Sequence, residues 1–438
     1  MHRPAESLPD SSPTPGLTRT IATIVTGNGF VAYDFTVYSF SAVLIGQLFF
    51  PSANPAASLL LSLATFGAGF VMRPLGALWI GRLSDQRGRK AGMSVALMLM
   101  TVGTWMMACL PTYASIGFAA PLLMVVARLL QGFAAGGEIG PASASLMESV
   151  PYHRRCFMVS WRGASQGAAA LVAALVGAAT VALLSPAALK EWGWRVPFFI
   201  GGLIGPVGWL LRRQMLEAVP ATPRERLSAQ LVREHARPLV LGVLMMAAPS
   251  VSIYVTVFYM PAYLVGTLHR AATLSLLTAC SSGLVILIVT PLVGRLADRR
   301  ASRKTLQYAA LAIAIGGAWP AFWWLTRGVS DLATLGIITV YVAFAVNNAG
   351  AGSVLMMEAF PQHRRAAALA VIYSLGVVLF GGFSPFIVSW LIHVSANAMM
   401  PAWYLMAANG LSLGALYLFP ERLAGASDGS VPAGTAHR

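Results

Sequence analysis

Apolar residues run along this chain in long stretches separated by short polar breaks. Reading those runs between turn signals predicts twelve helical spans, at about 20–47, 56–83, 91–111, 115–147, 156–184, 194–212, 238–266, 272–297, 304–325, 332–357, 366–392 and 400–419. Each comes near the roughly 20 residues that a helix needs to cross a hydrocarbon core of about 30 Å. The one long polar interruption runs from Arg213 to Arg237 and carries Pro220, Pro223 and several charges. It reads as a linker between two halves. The predicted organisation is a tail at 1–19, a six-helix bundle at 20–212, the linker at 213–237, a second six-helix bundle at 238–419 and a tail at 420–438. The first tail holds Glu6 and Asp10 and no apolar core, so it reads as a cytoplasmic tail and not as a cleaved signal.

Composition sharpens the class. Of 438 residues, 57% are hydrophobic and 10% are Asp, Glu, Lys or Arg, where a soluble chain carries about 25% charged residues. The expectation is an all-α membrane protein embedded in a lipid bilayer. The net charge of +15 raises the alternative of a nucleic-acid partner, and its distribution argues against one. Lys190, Arg195, Arg270 and Arg327 fall on one side of the predicted spans, and Arg73, Arg128 and Arg162 lie inside helices. The other 23 of the 30 basic residues fall in the opposite set of loops and the termini. That asymmetry follows the positive-inside rule and places both termini in the cytoplasm; the localisation expected is the bacterial inner membrane.

An internal repeat supports two halves. Leu146-Met147-Glu148-Ser149-Val150-Pro151-Tyr152-His153-Arg154-Arg155 recurs as Met356-Met357-Glu358-Ala359-Phe360-Pro361-Gln362-His363-Arg364-Arg365, with six of ten positions identical. Gly81 to Lys90 recurs, with one insertion, as Gly294 to Lys304. Both pairs fall between equivalent predicted helices. Repeated halves are how many secondary transporters build a central site at a pseudo-symmetric interface.

Within the first copy, Gly81, Asp85, Gly88, Arg89 and Lys90 form G-x-x-x-D-x-x-G-R-K. A basic loop explains the cations, but not the glycines, the Asp or the recurrence. Gly81 is expected to allow close helix approach, and Asp85 to sit at a neighbouring helix N-terminus. With this motif the chain resembles the major facilitator superfamily, and within it the metabolite:proton symporters. Further marks are Tyr33-Asp34-Phe35, Met72-Arg73-Pro74-Leu75-Gly76, Arg128-Leu129-Leu130-Gln131-Gly132 and Glu191-Trp192-Gly193-Trp194-Arg195. Ser160-Trp161, Ala164-Ser165-Gln166 and Phe380-Gly381-Gly382-Phe383-Ser384-Pro385 look most like the citrate and tricarballylate proton symporters. The resemblance implies twelve transmembrane helices in two pseudo-symmetric bundles. It also implies alternating access and drive by the proton gradient with no cofactor; a monomer is the expected state.

Ionisable residues deep in a spanning helix cost roughly 2.5–3.5 kcal/mol each on insertion scales, so they need partners or a wet cavity. Asp34 and Arg128 lie at similar depth, about 20 Å from one end of their helices. A direct ion pair between them is the expected proton-coupling element; a purely structural pair is the alternative. Arg73 and Glu138 are expected to pair nearer the inner gate and, with Tyr33, are candidate substrate-binding residues. Gly132, Gly136 and Gly140 form a small-xxx-small ladder that lets a helix approach there. Arg162 either grips a substrate carboxylate, with Gln166 one turn further in, or snorkels to the interface. Asn347 and Asn348 either line the cavity or bond a neighbouring helix. The candidate gating charges are Asp85, Arg87, Arg89, Glu148, Arg155, Asp298, Glu358 and Arg365.

The function expected is symport of a small organic anion, a di- or tricarboxylate such as citrate, with protons. Transport of another metabolite (shikimate or a zwitterionic osmolyte) and export are the competing readings. A membrane enzyme is not expected. The seven histidines sit in loops, tails or helix ends, and the three cysteines have no metal-ligand spacing. There is also no phosphate-cradling loop of the Walker type.

Overall fold

The computed structural model describes residues 15–137, 139–213, 233–300, 302–346 and 349–421. Every regular element among them is helical. Following the chain, α1 is Pro15–Phe49, α2 is Pro55–Val71 continued by Arg73–Arg87, and α3 is Arg89–Cys109. Then α4 is Ala119–Gly136 with Ile139–Glu148, α5 is Arg155–Leu183 and α6 is Val196–Arg213. In the second half, α7 is Ala236–Gly266, α8 is Ala272–Asp298 and α9 is Arg303–Thr326. Last come α10 at Asp331–Glu358, α11 at Arg365–Ser395 and α12 at Met400–Leu418. Ten of these are long and apolar enough to cross a membrane, and α6 and α12 add helices of 18 and 19 residues. Together they make the twelve-helix fold.

Local chemistry sets the ends. Asn54 caps α2 by accepting from Ala56 N–H at 2.9 Å, with Pro55 in the first turn, where a missing N–H costs nothing. Gly88 joins α2 to α3 at φ +88°, which a side chain resists. That accounts for one glycine of the loop motif. Gly81 does not behave as expected: a Cβ there would meet nothing within 4 Å, so it brings no helix closer.

The ladder on α4 does bring α2 in. A Cβ on Gly132 would collide with the Gly69 carbonyl, and one on Gly136 with the Arg73 carbonyl. Backbone-to-backbone packing therefore fixes Arg73 and Arg128 on neighbouring helices. Gly132→Val is expected to cost at least about 1–3 kcal/mol, the usual range for overpacking. Gly414→Ala, at an exposed glycine with open space around it, serves as the control. The yield of monodisperse protein in detergent should fall for the first and hold for the second.

The halves meet along α5 and α8, where Gly167 and Gly283 let the backbones touch: a Cβ on Gly283 would lie 2.6 Å from Leu171 N. They meet again along α2 and α11, where Phe383 lies over Gly67 and Phe70 lies over Gly382. Pairs α3–α6 and α9–α12 pack outside this interface. The joins α2–α3, α4–α5, α8–α9 and α10–α11 share one face, termed the basic face below. Two π-turns, Tyr254–Tyr259 in α7 and Val377–Gly382 in α11, widen the helices beside the interface; such turns are frequent at functional sites.

Candidate functional site

Asp34 is 1% exposed, enclosed by its neighbours in the first half. The Thr104 hydroxyl of α3 donates to its Oδ2, and so does the Gln131 amide of α4, at 2.8 Å. The Gln131 carbonyl in turn accepts from Arg128 Nη1 at 2.7 Å. The direct Asp34–Arg128 ion pair expected from depth alone is thus corrected to a relay through a neutral amide. The reason is angular. Arg128 and Gln131 are three residues apart on one helix and share a face. The guanidinium lies across the Tyr38 ring, 3.7 Å from its centroid, and the amide fills the remaining gap. Asp34 Oδ1 and Arg128 Nε and Nη2 have no hydrogen-bond partner among the described residues.

Tyr33 packs against α6 at Gly201, beside Asp34. Its hydroxyl donates to the Pro197 carbonyl of α6 at 3.0 Å, so this candidate substrate contact is a tie within the first bundle.

Arg73 and Arg162 face the interface between the halves. Arg73, 4% exposed, stacks on Phe70 with its guanidinium carbon 4.4 Å from the ring centroid and reaches the Tyr254 phenol of α7. Arg162 lies 5.1 Å from the Tyr373 ring of α11, and the Tyr373 hydroxyl has Arg162 and Gln166 as hydrogen-bonding neighbours. Of the two readings of Arg162, snorkelling is not the one adopted: the residue is 5% exposed. Ring faces offset part of the dehydration of these cations. They leave Arg73 Nε and Arg162 Nε and Nη1 without acceptors among the described residues.

Between α5 and the second half lies a cavity of about 80 Å³. One water needs about 10–15 Å³ on this measure, so the cavity has room for a small polar molecule. Arg162, Gln166, Ser250, Tyr254, Gln307 and Tyr373 contribute to its wall. Among the described lining residues Arg162 is the one formal charge, and no carboxylate appears.

Toward the basic face, charged groups tie the halves together. Asp298 at the end of α8 accepts from Cys156 N at 2.9 Å and Phe157 N at 2.8 Å, capping α5 across the interface where the helix dipole favours an anion. Arg303 donates to Glu358 Oε2 at 2.8 Å, Asp298 Oδ1 at 3.3 Å and Tyr152 O at 3.3 Å. Arg155 reaches Glu358 Oε1 at 3.3 Å. Arg365 donates to Phe360 O at 3.2 Å beside this cluster, whereas Glu148 and Arg87 are exposed. Glu138, Asn347 and Asn348 lie outside the described residues, as do the side chains of Asp85 and Arg89.

Four participants are not singled out by sequence alone. Gln131 stands three residues after Arg128 in a quoted motif, a spacing that signals a shared face. Arg303 belongs to the second motif copy, where its charge reads as one more loop cation. Tyr254 and Tyr373 lie within apolar runs and carry no signal of their own.

A sequence profile of the family described as Major Facilitator Superfamily matches residues 20–385. The chain is 35% identical over 394 residues to a citrate-proton symporter of Klebsiella pneumoniae, covering 89% of this chain and 88% of that one. It is 33% identical over 411 residues to a proline/betaine transporter of Salmonella typhimurium, covering 89% and 81%. Among solved structures it shares the fold of the proton:xylose symporter XylE bound to 6-bromo-6-deoxy-D-glucose. There the TM-score is 0.75 at 20% identity, over 94% of this chain and 97% of that one.

Proposed function

This chain belongs to the major facilitator superfamily and is a multi-pass membrane transport protein, and from that premise we propose that it couples proton entry to the uptake of a small organic anion, a di- or tricarboxylate such as citrate. The observation that carries this reading is the cavity wall. It holds one formal charge, Arg162, with two N–H groups lacking acceptors, and no described carboxylate. A guanidinium fork suits the two oxygens of a carboxylate. Relatives that carry citrate with protons support the same substrate class.

The proline/betaine relatives favour a zwitterion instead. A quaternary ammonium is recognised by open aromatic faces. Here Phe35, Phe70 and Tyr38 have Arg73 or Arg128 over them, and Tyr373 has Arg162. That disfavours a cationic substrate group at these rings.

In the proposed cycle, Asp34 takes up the proton. Protonation removes the anion that Thr104 and Gln131 donate to, and so loosens the amide that holds Arg128. The halves then rock about the central cavity. The Arg155–Glu358–Arg303–Asp298 cluster holds the basic face shut and parts when that face opens. The basic face lies toward the cytoplasm, and the drive is the proton gradient without a cofactor.

The test is uptake by proteoliposomes under an inward proton gradient. Labelled citrate should accumulate, and excess glycine betaine should not compete. Accumulation of betaine with indifference to citrate contradicts the reading.

A further inference from the structure

Gln307 sits on α9, which packs outside the interface between the halves and is only 28% buried along its most apolar stretch, the lowest share among the ten apolar spans. Its side chain nevertheless turns inward, is 3% exposed, and lines the same cavity as Arg162. Gly352 of α10 lies beside it: a Cβ there would sit in ordinary contact, 3.7 Å from Gln307 Oε1. Across the cavity wall, Ser250 of α7 is 2% exposed. Gln307 Nε2 and Ser250 Oγ both lack a hydrogen-bond partner among the described residues. Buried polar groups in native proteins are overwhelmingly paired, so two such groups on one cavity point to a ligand that pairs them.

Charge separates the two sides. The first half supplies a cation, Arg162, and the second half supplies neutral donors. We propose that Gln307, with Ser250, forms a neutral subsite for the second polar group, a carboxylate or hydroxyl, of an anion whose first carboxylate rests on Arg162. This rests on the carboxylate reading above and adds to it the residue that selects for a second polar group. It also places the ligand against the gate. Gln307 lies one helical turn inward of Arg303 on the same face of α9. A ligand drawn to Gln307 therefore pulls on the helix that carries the hub of the basic-face cluster.

The experiment is citrate binding to the full-length protein in detergent by titration calorimetry. Wild type, Gln307→Leu and Gln307→Glu are compared, with each variant's melting temperature recorded without ligand. Gln307→Leu should raise the Kd for citrate about tenfold, the loss of one hydrogen bond to a charged group. Gln307→Glu should raise it further, because a carboxylate there repels the incoming one. A purely structural role gives the opposite order, since Glu matches Gln in shape and Leu does not. Unchanged affinity in both variants, or the reversed order, overturns the subsite. Wild-type protein that binds no citrate overturns the carboxylate reading itself. If Leu at this position prevents folding, the comparison of Gln307→Glu with wild type still decides.

Discussion

Asp34→Asn is expected to abolish uphill accumulation of substrate while leaving exchange intact. The replacement keeps the size of the side chain and an oxygen for Thr104 or Gln131 to donate to, and removes only the ability to take up a proton. Each proton moved down one pH unit supplies about 1.4 kcal/mol, or about tenfold accumulation of the solute that moves with it. Without a titrating carboxylate that coupling vanishes, and the internal level should stop at the external one. Counterflow of labelled against unlabelled substrate needs no net proton movement and should continue. Gradient-driven accumulation by the Asn variant at wild-type levels places the proton elsewhere.

Arg162→Ala should produce the largest loss of substrate affinity. A hydrogen bond to a charged group contributes about 1.5–3 kcal/mol net, and Arg162 has two N–H groups without acceptors to offer. Loss of about 2–3 kcal/mol corresponds to a rise of about 30- to 140-fold in the half-saturating concentration. Arg162→Lys restores the charge without the fork and should recover part of it. Initial uptake rates over a range of citrate concentrations measure both. An unchanged half-saturating concentration in Arg162→Ala moves the anion to Arg73 or Arg128.

The membrane architecture was legible because hydropathy over about 20 residues is a direct record of the solvent, and twelve apolar runs of that length have no place to go but lipid. Close packing on α4 was legible for a related reason: Gly132 and Gly136 recur every four residues, and the absent side chains mark where a backbone must come close, though not that the backbone is that of α2. Depth in the membrane was readable from 1.5 Å per residue, which put Asp34 and Arg128 at one level. Azimuth was not. Whether two residues at one depth touch depends on how far each helix is rotated, which packing across the whole bundle decides. Gln131 came between the expected pair for that reason, and Tyr33 turned toward Pro197.

The second half was less legible. Its cavity-lining groups, Tyr254, Gln307 and Tyr373, are spread over three helices and fall within apolar runs. A single polar residue in such a run looks the same whether it faces lipid, a neighbour or a cavity. Arg303 stood in plain view in the second loop motif. Its part at the centre of the basic-face cluster depends on α9 starting beside Glu358 and Asp298, a tertiary relation that local spacing does not encode.

The most direct measurement is the external pH of a weakly buffered suspension of proteoliposomes when citrate is added in the absence of any imposed gradient. Co-transport with protons predicts an alkaline shift that scales with citrate uptake and disappears in Asp34→Asn. Citrate entry with no pH change, or with acidification, contradicts symport.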